Sequence, residues 1–360
     1  MTGPAATPTS TPSLAPAPAE RGWVKLMLAL TAFFLLPMLP QVRALLPVDQ
    51  TMLLFVPALA ACSLVGWWAG GRAFMAIAWV ALAAAMTAQS TTPGAFSNLV
   101  RGWSLLLAGS FGLVCLFGFR RPLLSRAFLA LGMTLVFSTI MIPIGPVTPS
   151  QASKTIAEEF SRRNAEAVAS MNTAIQTYPK EWKDLTTKVP AIGQVPAEMA
   201  KELAKASDWG LAVFPALLAL ESLAALALAW ATYHRLSRAR LGAPLRPLRE
   251  FRFNDQLVWG LIVGLTIVLL PTLTSVRGIG RNLIVFFGAL YAVRGFGVLS
   301  WFMAPGSLGV TLSVGFIMLA APVIQVFAAL VLMFFGAAAL ALGLGDTWAD
   351  WRNRPRQQSP

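Results

Sequence analysis

Apolar runs of about 20 residues recur along the chain, and they constrain its fold more than any other feature. A helix of about 20 apolar residues spans the hydrocarbon core of a bilayer. Only 12% of the residues are charged, against about 25% in a typical soluble domain. No segment alternates apolar and polar residues as a half-buried strand does. The sequence therefore predicts an all-α, polytopic integral membrane helix bundle.

Ten apolar segments are candidate spans. The last apolar stretch, 308–344, would be about 55 Å long as one straight helix, against a hydrocarbon core of about 30 Å. We therefore divide it at Pro322, which gives about ten transmembrane helices, with eight or nine as fallbacks. The predicted spans lie near 24–41, 51–69, 73–89, 99–119, 126–145, 209–232, 256–275, 282–303, 308–321 and 323–344.

The segments between these spans divide the chain further. The Pro-, Ala- and Thr-rich start has no apolar face and is typical of disorder. The long polar segment after the fifth span contains two helical patterns, "SKTIAEEFSRRNAEAVASMNTAIQTY" and "VPAEMAKELAKA", and a floppy connector is the alternative. We predict a disordered cytoplasmic tail (1–20), five transmembrane helices (24–145), a small extracytoplasmic helical segment (146–208), the C-terminal transmembrane helices (209–345) with a basic cytoplasmic loop (233–255), and an interfacial or cytoplasmic tail (346–360).

Basic residues concentrate in alternate short loops. By the positive-inside rule, this pattern predicts a protein of the inner membrane with both termini in the cytoplasm. Only four arginines fall in the outer short segments: Arg43, Arg101, Arg277 and Arg281. The net charge of +13 follows this topology, so we expect no nucleic-acid partner. The basic loop is predicted to touch anionic lipid headgroups or, alternatively, to dock a protein partner. Its arginines are Arg235, Arg238, Arg240, Arg246, Arg249 and Arg252.

Two ionisable residues stand inside predicted spans. Arg294 lies in "GALYAVRGFGVLSWF", about 14 Å from the cytoplasmic end of its helix, and Glu221 in "ALLALESLAALALAW" lies about 16 Å from the end of its own. A charge at mid-bilayer costs about 2.5–3.5 kcal/mol. We expect Glu221 and Arg294 either to pair directly or to line one polar cavity. Such a pair could serve only to fix the packing of the two helices. The alternative is that Arg294 binds an anionic group of a ligand.

Other polar positions are weaker candidates. Gln325 follows Pro322, where a broken helix frees backbone groups as in many transporters. Asn282 and Tyr291 are further possible cavity residues. Cys62 and Cys115 are expected to be small packing residues. No His/Cys cluster and no hydrolase, phosphate-loop or dinucleotide motif occurs, so we predict no metal site, no cofactor and no catalytic residue.

The C-terminal half contains "GRNLIVFFGALYAVRGFGVLSWF" followed by "GLGDTWADWRNR". This pattern, a span with "YxxRG" and a last span ending in "GLxDTWxDxR", resembles the YybS-like family of multi-pass bacterial membrane proteins, a domain of unknown function. The resemblance extends over about 24–356 and is most specific over 281–356. That family is distantly similar to the substrate-binding subunits of energy-coupling-factor transporters, which implies a small-molecule binding role.

Three functional hypotheses follow. The first is a membrane protein that binds or transports a small solute in a polar cavity around Arg294 and Glu221. The second is a non-transporting scaffold that recruits partners through its basic loop and outer cap. A membrane enzyme is the weakest hypothesis, so we expect no enzymatic activity.

Overall fold

The computed structural model describes residues 23–88, 94–118, 121–144, 148–177, 179–188, 193–237, 239, 241–303, 307, 310, 311, 314 and 325–349. All regular structure in this part of the chain is helical, which confirms the predicted all-α class. The α-helices are, in chain order, α1 (Trp23–Leu35), α2 (Pro40–Arg43), α3 (Met52–Trp68), α4 (Ala73–Ala88), α5 (Ala95–Phe117), α6 (Leu123–Ile144), α7 (Pro149–Thr177), α8 (Pro179–Lys188), α9 (Val195–Ala212), α10 (Phe214–Leu236), α11 (Val258–Leu269), α12 (Arg277–Phe302) and α13 (Gln325–Ala349).

Several of these helices are apolar enough to lie in a bilayer. In the described part of the chain, four segments also have the length to cross it: Ala95–Phe117, Leu123–Met141, Phe214–Leu236 and Pro271–Phe302. Shorter apolar helices cover Trp23–Met38, Met52–Trp68, Ala73–Ala88, Asp255–Leu269 and Met333–Ala349. A helical membrane protein is thus confirmed. The predicted span 308–321 and Pro322 fall mostly or wholly outside the described residues.

One predicted span is interrupted by a proline. The range 256–275 was expected to be a single apolar helix, but α11 ends at Leu269, and Pro271–Val276 form a 3-10 segment. Leu270 is extended, with φ −75° and ψ 121°, because a residue that precedes proline avoids the helical region. The 12 residues of α11 are about 18 Å long, shorter than the hydrocarbon core.

The polar segment after α6 forms three helices. Both predicted helical patterns are helical, in α7 and α9, and α8 between them was not predicted. The predicted boundary near residue 209 falls within α9, since Trp209 to Ala212 belong to α9 and Val213 alone stands between α9 and α10. We call the end of the bundle that carries α7, α8 and α9 the cap side, and the end that carries residues 237–254 the loop side.

The core lies between α3, α5 and α10. Trp230 is 1% exposed and meets Phe111 edge to face, with ring centroids 6.3 Å apart. A Cβ atom on Gly66 would lie 1.9 Å from the Tyr233 hydroxyl oxygen, so this glycine lets α3 approach α10 closely. The Tyr233 hydroxyl donates a hydrogen bond of 2.7 Å to the Ala239 carbonyl and thereby holds the following loop. Cys62 and Cys115 are buried and free, in keeping with a packing role.

Candidate functional site: two buried charge clusters

Arg294 is the centre of a charge cluster near the loop side. Its side chain is 3% exposed. Its Nε donates a hydrogen bond of 3.0 Å to Oδ2 of Asp346, and its Nη1 donates one of 2.5 Å to Oδ1 of Asp255. Its Nη2 also donates to the backbone carbonyl of Asp346, at 3.2 Å. We call Arg294, Asp255 and Asp346 the arginine clasp, because the three residues join α12, α13 and the 3-10 turn that leads into α11.

The two aspartates of the arginine clasp differ in environment. The Asp346 side chain is fully buried, whereas the Asp255 side chain is 59% exposed. Phe253 covers the guanidinium, with 5.5 Å between the Arg294 Cζ and the ring centroid, and its ring meets Tyr291 at 5.0 Å. A buried ion pair is stable only when hydrogen bonds replace the lost water. The contacts of Arg294 with the two aspartates meet that requirement.

Glycines bring α12 and α13 into backbone contact beside the arginine clasp. A Cβ atom on Gly295 would lie 1.6 Å from the Ala339 carbonyl oxygen, and one on Gly343 would lie 1.9 Å from the Tyr291 carbonyl oxygen. Real Cβ atoms essentially never approach another heavy atom within 3.0 Å. The crossing of α12 and α13 therefore requires glycine at both positions, and it sets the distance at which Asp346 reaches Arg294.

Glu221 has a different set of neighbours, towards the cap side. Its Oε2 accepts a hydrogen bond of 3.0 Å from the backbone amide of Val48, in the segment between α2 and α3. The residue is 8% exposed, and its Oε1 has no hydrogen-bond partner in the described part of the chain. Arg163 and Asp49 are the charged side chains nearby.

The predicted ion pair between Glu221 and Arg294 is therefore replaced by two separate clusters. The two residues were placed at matching depth by counting from predicted helix ends. In the structure α10 continues to Leu236, so Glu221 lies 15 residues from that end, or about 22 Å, while Arg294 lies 8 residues, or about 12 Å, from Phe302. The difference of about 10 Å lets each charge find partners of its own.

Asn282 joins two elements across the break between α9 and α10. Its Oδ1 accepts from the Ala216 amide at 2.9 Å, and its Nδ2 donates to the carbonyls of Ala212 at 3.1 Å and Gly278 at 2.8 Å. Backbone groups that the break at Val213 releases are thus satisfied by one side chain. Tyr291 lies in the wall of the arginine clasp, and the side chain of Gln325 lies outside the described residues.

The cap is attached by a second buried arginine that sequence reasoning did not single out. Arg163 on α7 is 1% exposed. Its Nε lies 2.7 Å from Oε1 of Glu159, and its Nη2 lies 3.3 Å from Oδ1 of Asp49. Its Nη1 donates a hydrogen bond of 2.8 Å to the Leu46 carbonyl. Arg43 in turn lies 2.9 Å from Asp49. The sequence gives a signal, because Arg163 follows Phe160 by three residues and so lies on the same face of the helix.

Glu159 makes this attachment sensitive to pH. Burial raises the pKa of Glu159, but the hydrogen bonds from Arg162 and Arg163 outweigh burial and hold the pKa below its ordinary value. A carboxyl group with a lowered pKa in the folded state contributes stability that is complete above the unfolded pKa and is lost as the pH falls through the folded pKa.

The ordinary pKa of a glutamate side chain is 4.5. Acidification below that pH is accordingly expected to loosen α7 from the segment between α2 and α3. Amide hydrogen exchange in α7 should rise as the pH falls, after correction for the intrinsic exchange rate. Glu159→Gln should reduce this pH dependence. Glu158→Gln is the matched control, because the Glu158 side chain is 65% exposed and forms an exposed ion pair with Lys154, at 3.8 Å. An unchanged pH profile in Glu159→Gln would contradict the assignment.

The loop-side segment is held against the bundle by hydrogen bonds. Arg249 donates to the carbonyls of Ser300 and Met303, and buried Arg126 donates to the Leu241 carbonyl at 2.8 Å. The indole of Trp230 donates to the Ala243 carbonyl at 3.1 Å. Six arginines were predicted to meet lipid headgroups. Arg249 and Arg235 instead donate to backbone carbonyls, Arg235 to that of Ala231. Arg246 and Arg252 are exposed, and Arg238 and Arg240 lie outside the described residues.

Two cavities open on the bundle surface. One of about 620 Å³ lies between α3, α4 and α5 and has an almost wholly apolar wall. The other, of about 460 Å³, lies near the cap side and is lined by Val213 and by residues of α9, α11 and α12, among them Asp208 and Arg281. Neither Arg294 nor Glu221 lines either cavity. No group of three or more His, Cys, Asp or Glu side chains within the described ranges is arranged to hold a metal ion.

Comparison with known proteins gives a family but no activity. No curated protein and no solved structure matches the chain. A family model described as "Predicted membrane protein (DUF2232)" matches residues 29–346, which is most of the chain and includes all three residues of the arginine clasp. The chain therefore belongs to this family of predicted membrane proteins.

Proposed function

We propose that this protein is a non-transporting, non-enzymatic scaffold of the cytoplasmic membrane, with both termini in the cytoplasm, and that it recruits an acidic partner protein on its loop side. The observation that carries the proposal is the arginine clasp. A transporter that moved a solute past Arg294 would need this arginine beside a cavity, yet its hydrogen bonds go to Asp255 and Asp346. Breaking those contacts would leave a charge unpaired inside the bundle.

A fixed basic surface on the loop side supports the scaffold role. Arg72, Arg121 and Arg246 are exposed, and the described part of the chain offers none of their side chains a hydrogen bond or ion pair. Their surroundings are anchored, since Gly71 packs on Ala239 and the loop after α10 is held by Arg126 and Trp230. A pre-formed surface loses little conformational entropy on binding. We call these three residues the loop-side arginine surface.

Charge reversal should separate a protein partner from a purely lipid-facing role. The variant Arg72→Glu, Arg121→Glu, Arg246→Glu is expected to reduce recovery of a crosslinked acidic partner at least tenfold. Screening predicts the same loss for wild type at about 1 M salt. The matched control reverses three exposed cap lysines, Lys154, Lys180 and Lys183, and should leave recovery unchanged. Crosslinking in intact membranes, followed by quantitative mass spectrometry, measures the recovery of the partner with wild type, the variant and the control.

Two results would contradict the scaffold proposal. One is a set of crosslinked proteins that does not depend on the loop-side arginine surface. The other is a surface whose crosslinks go only to anionic lipid, which would make the arginines a topology anchor. Size-exclusion profiles of the variant and the control must agree, so that loss of partner is not loss of fold.

Solute binding is the second candidate, and one observation favours it. The buried Oε1 of Glu221 has no hydrogen-bond partner among the described residues, and buried polar atoms usually have one. The resemblance of 281–356 to YybS-like proteins, and through them to energy-coupling-factor subunits, supports the same candidate. Ligand identification by mass spectrometry on purified protein tests it, with Arg294→Ala and Glu221→Gln as controls.

A further inference from the structure

Arg277 and Arg281 are set apart from the other arginines predicted to lie outside. Arg43 pairs with Asp49 at 2.9 Å and with Glu166 at 3.3 Å, and Arg101 also has a partner. In the described part of the chain, the side chains of Arg277 and Arg281 form no hydrogen bond and no ion pair, and the Nε of Arg277 is buried without a partner. Two arginines that break the positive-inside pattern thus have no ion-pair partner among the described residues.

Their position concentrates positive charge at one end of α12. Arg277 and Arg281 are four residues apart at the start of α12 and share one face of that helix. The first turn of α12 has no acidic residue, and no side chain caps it. The positive end of the helix dipole already lies there, so two further cations are unfavourable unless an anion neutralises them.

A cavity adjoins this positive end at Arg281, and Arg277, about one helical turn earlier, stands outside its lining. Its volume is about 460 Å³, within the usual range for ligand pockets. Arg281 and Asp208 are its charged residues, and Trp209, Val268, Ile284 and Val285 supply apolar wall. Trp209 is 53% exposed, which suits the headgroup region of a bilayer, where tryptophan is enriched. A cationic mouth beside an apolar wall at the membrane surface matches a molecule with an anionic head and an apolar chain.

We propose that Arg277 and Arg281 bind the phosphate head of an anionic lipid, with the apolar chain lying along Val268, Ile284 and Val285. Arginine suits this role because its guanidinium presents paired donors to phosphate oxygens. Asp208, at the same cavity, favours a lipid whose head also carries a hydroxyl donor and disfavours a head with several negative charges. This site lies at the opposite end of the bundle from the loop-side arginine surface.

Native mass spectrometry of delipidated protein in detergent tests the proposal, with phosphatidylglycerol, phosphatidylcholine and inorganic phosphate as probes. Wild type is expected to bind phosphatidylglycerol at least tenfold more tightly than phosphatidylcholine. The double variant Arg277→Gln, Arg281→Gln should lose that preference. The matched control Lys180→Gln, Lys183→Gln removes the same charge from exposed α8 residues that do not line the cavity, and it should keep the preference.

The remaining outcomes decide against the proposal. Equal binding of both lipids by wild type, or a preference that survives in the double variant, would overturn it. Displacement of phosphatidylglycerol by an equal concentration of inorganic phosphate would show that the arginines bind a free anion and that the apolar wall has no part. Arg281→Lys keeps the charge, so it gives a second, well-folded variant, in which weaker phosphatidylglycerol binding is expected.

Discussion

Arg294→Met is expected to lower the free energy of unfolding by about 3–5 kcal/mol, because it removes one partner of a buried, hydrogen-bonded ion pair with Asp346. Asp346 has a fully buried side chain, so water cannot replace the lost partner. Equilibrium unfolding in detergent micelles, followed by tryptophan fluorescence, measures the change. An arginine that served only to bind a ligand would show little loss in the absence of that ligand.

Double variants identify the partners of Arg294. Arg294→Met with Asp346→Leu removes both charges and should recover most of the lost stability, because apolar residues of similar volume often replace a buried ion pair without cost. The reciprocal exchange Glu221→Arg with Arg294→Glu should not recover it, since the new glutamate would face Asp255 and Asp346. Recovery by the exchange with Glu221, and none by the change at Asp346, would contradict the arginine clasp.

Gly295→Ala and Gly343→Ala are each expected to destabilise the protein by more than about 4 kcal/mol, a size reserved for backbone clashes and similar disruptions. The added methyl group meets a carbonyl oxygen of the facing helix, at 1.6 Å for Gly295 and 1.9 Å for Gly343. Backbone cannot rotate away as a side chain can. The two helices must separate, and Asp346 then moves out of reach of Arg294.

The same helices supply the controls for this prediction. Gly288 on α12 and Gly336 on α13 have open space where a Cβ would be. Gly288→Ala and Gly336→Ala should be neutral or slightly stabilising, because alanine is the better helix former by about 1 kcal/mol in water. Thermal unfolding in one detergent compares all four variants. Equal effects at the crossing and control positions would contradict the close approach of α12 and α13.

The pattern of apolar runs predicted most of the fold, because lipid permits few alternatives to a helix. Helix ends were less predictable. The end of α10 at Leu236 and the break at Pro271 depend on local backbone geometry, and the first of these was enough to suggest a false partner for Glu221. Asp346 was noted only as part of an interfacial tail. Its burial follows from the crossing at Gly295 and Gly343, which the sequence alone does not locate.

The arginine clasp has a consequence for the order in which the protein is made. Asp255 precedes Arg294 by 39 residues, and Asp346 follows it by 52. At about 5–20 residues per second, synthesis of Asp346 trails that of Arg294 by about 3–10 s. During that interval the half-exposed Asp255 is the one clasp carboxylate available to the arginine. Helix α12 is therefore made when Asp255 is the clasp carboxylate that can oppose its charge, and the docking of α13 adds Asp346 afterwards.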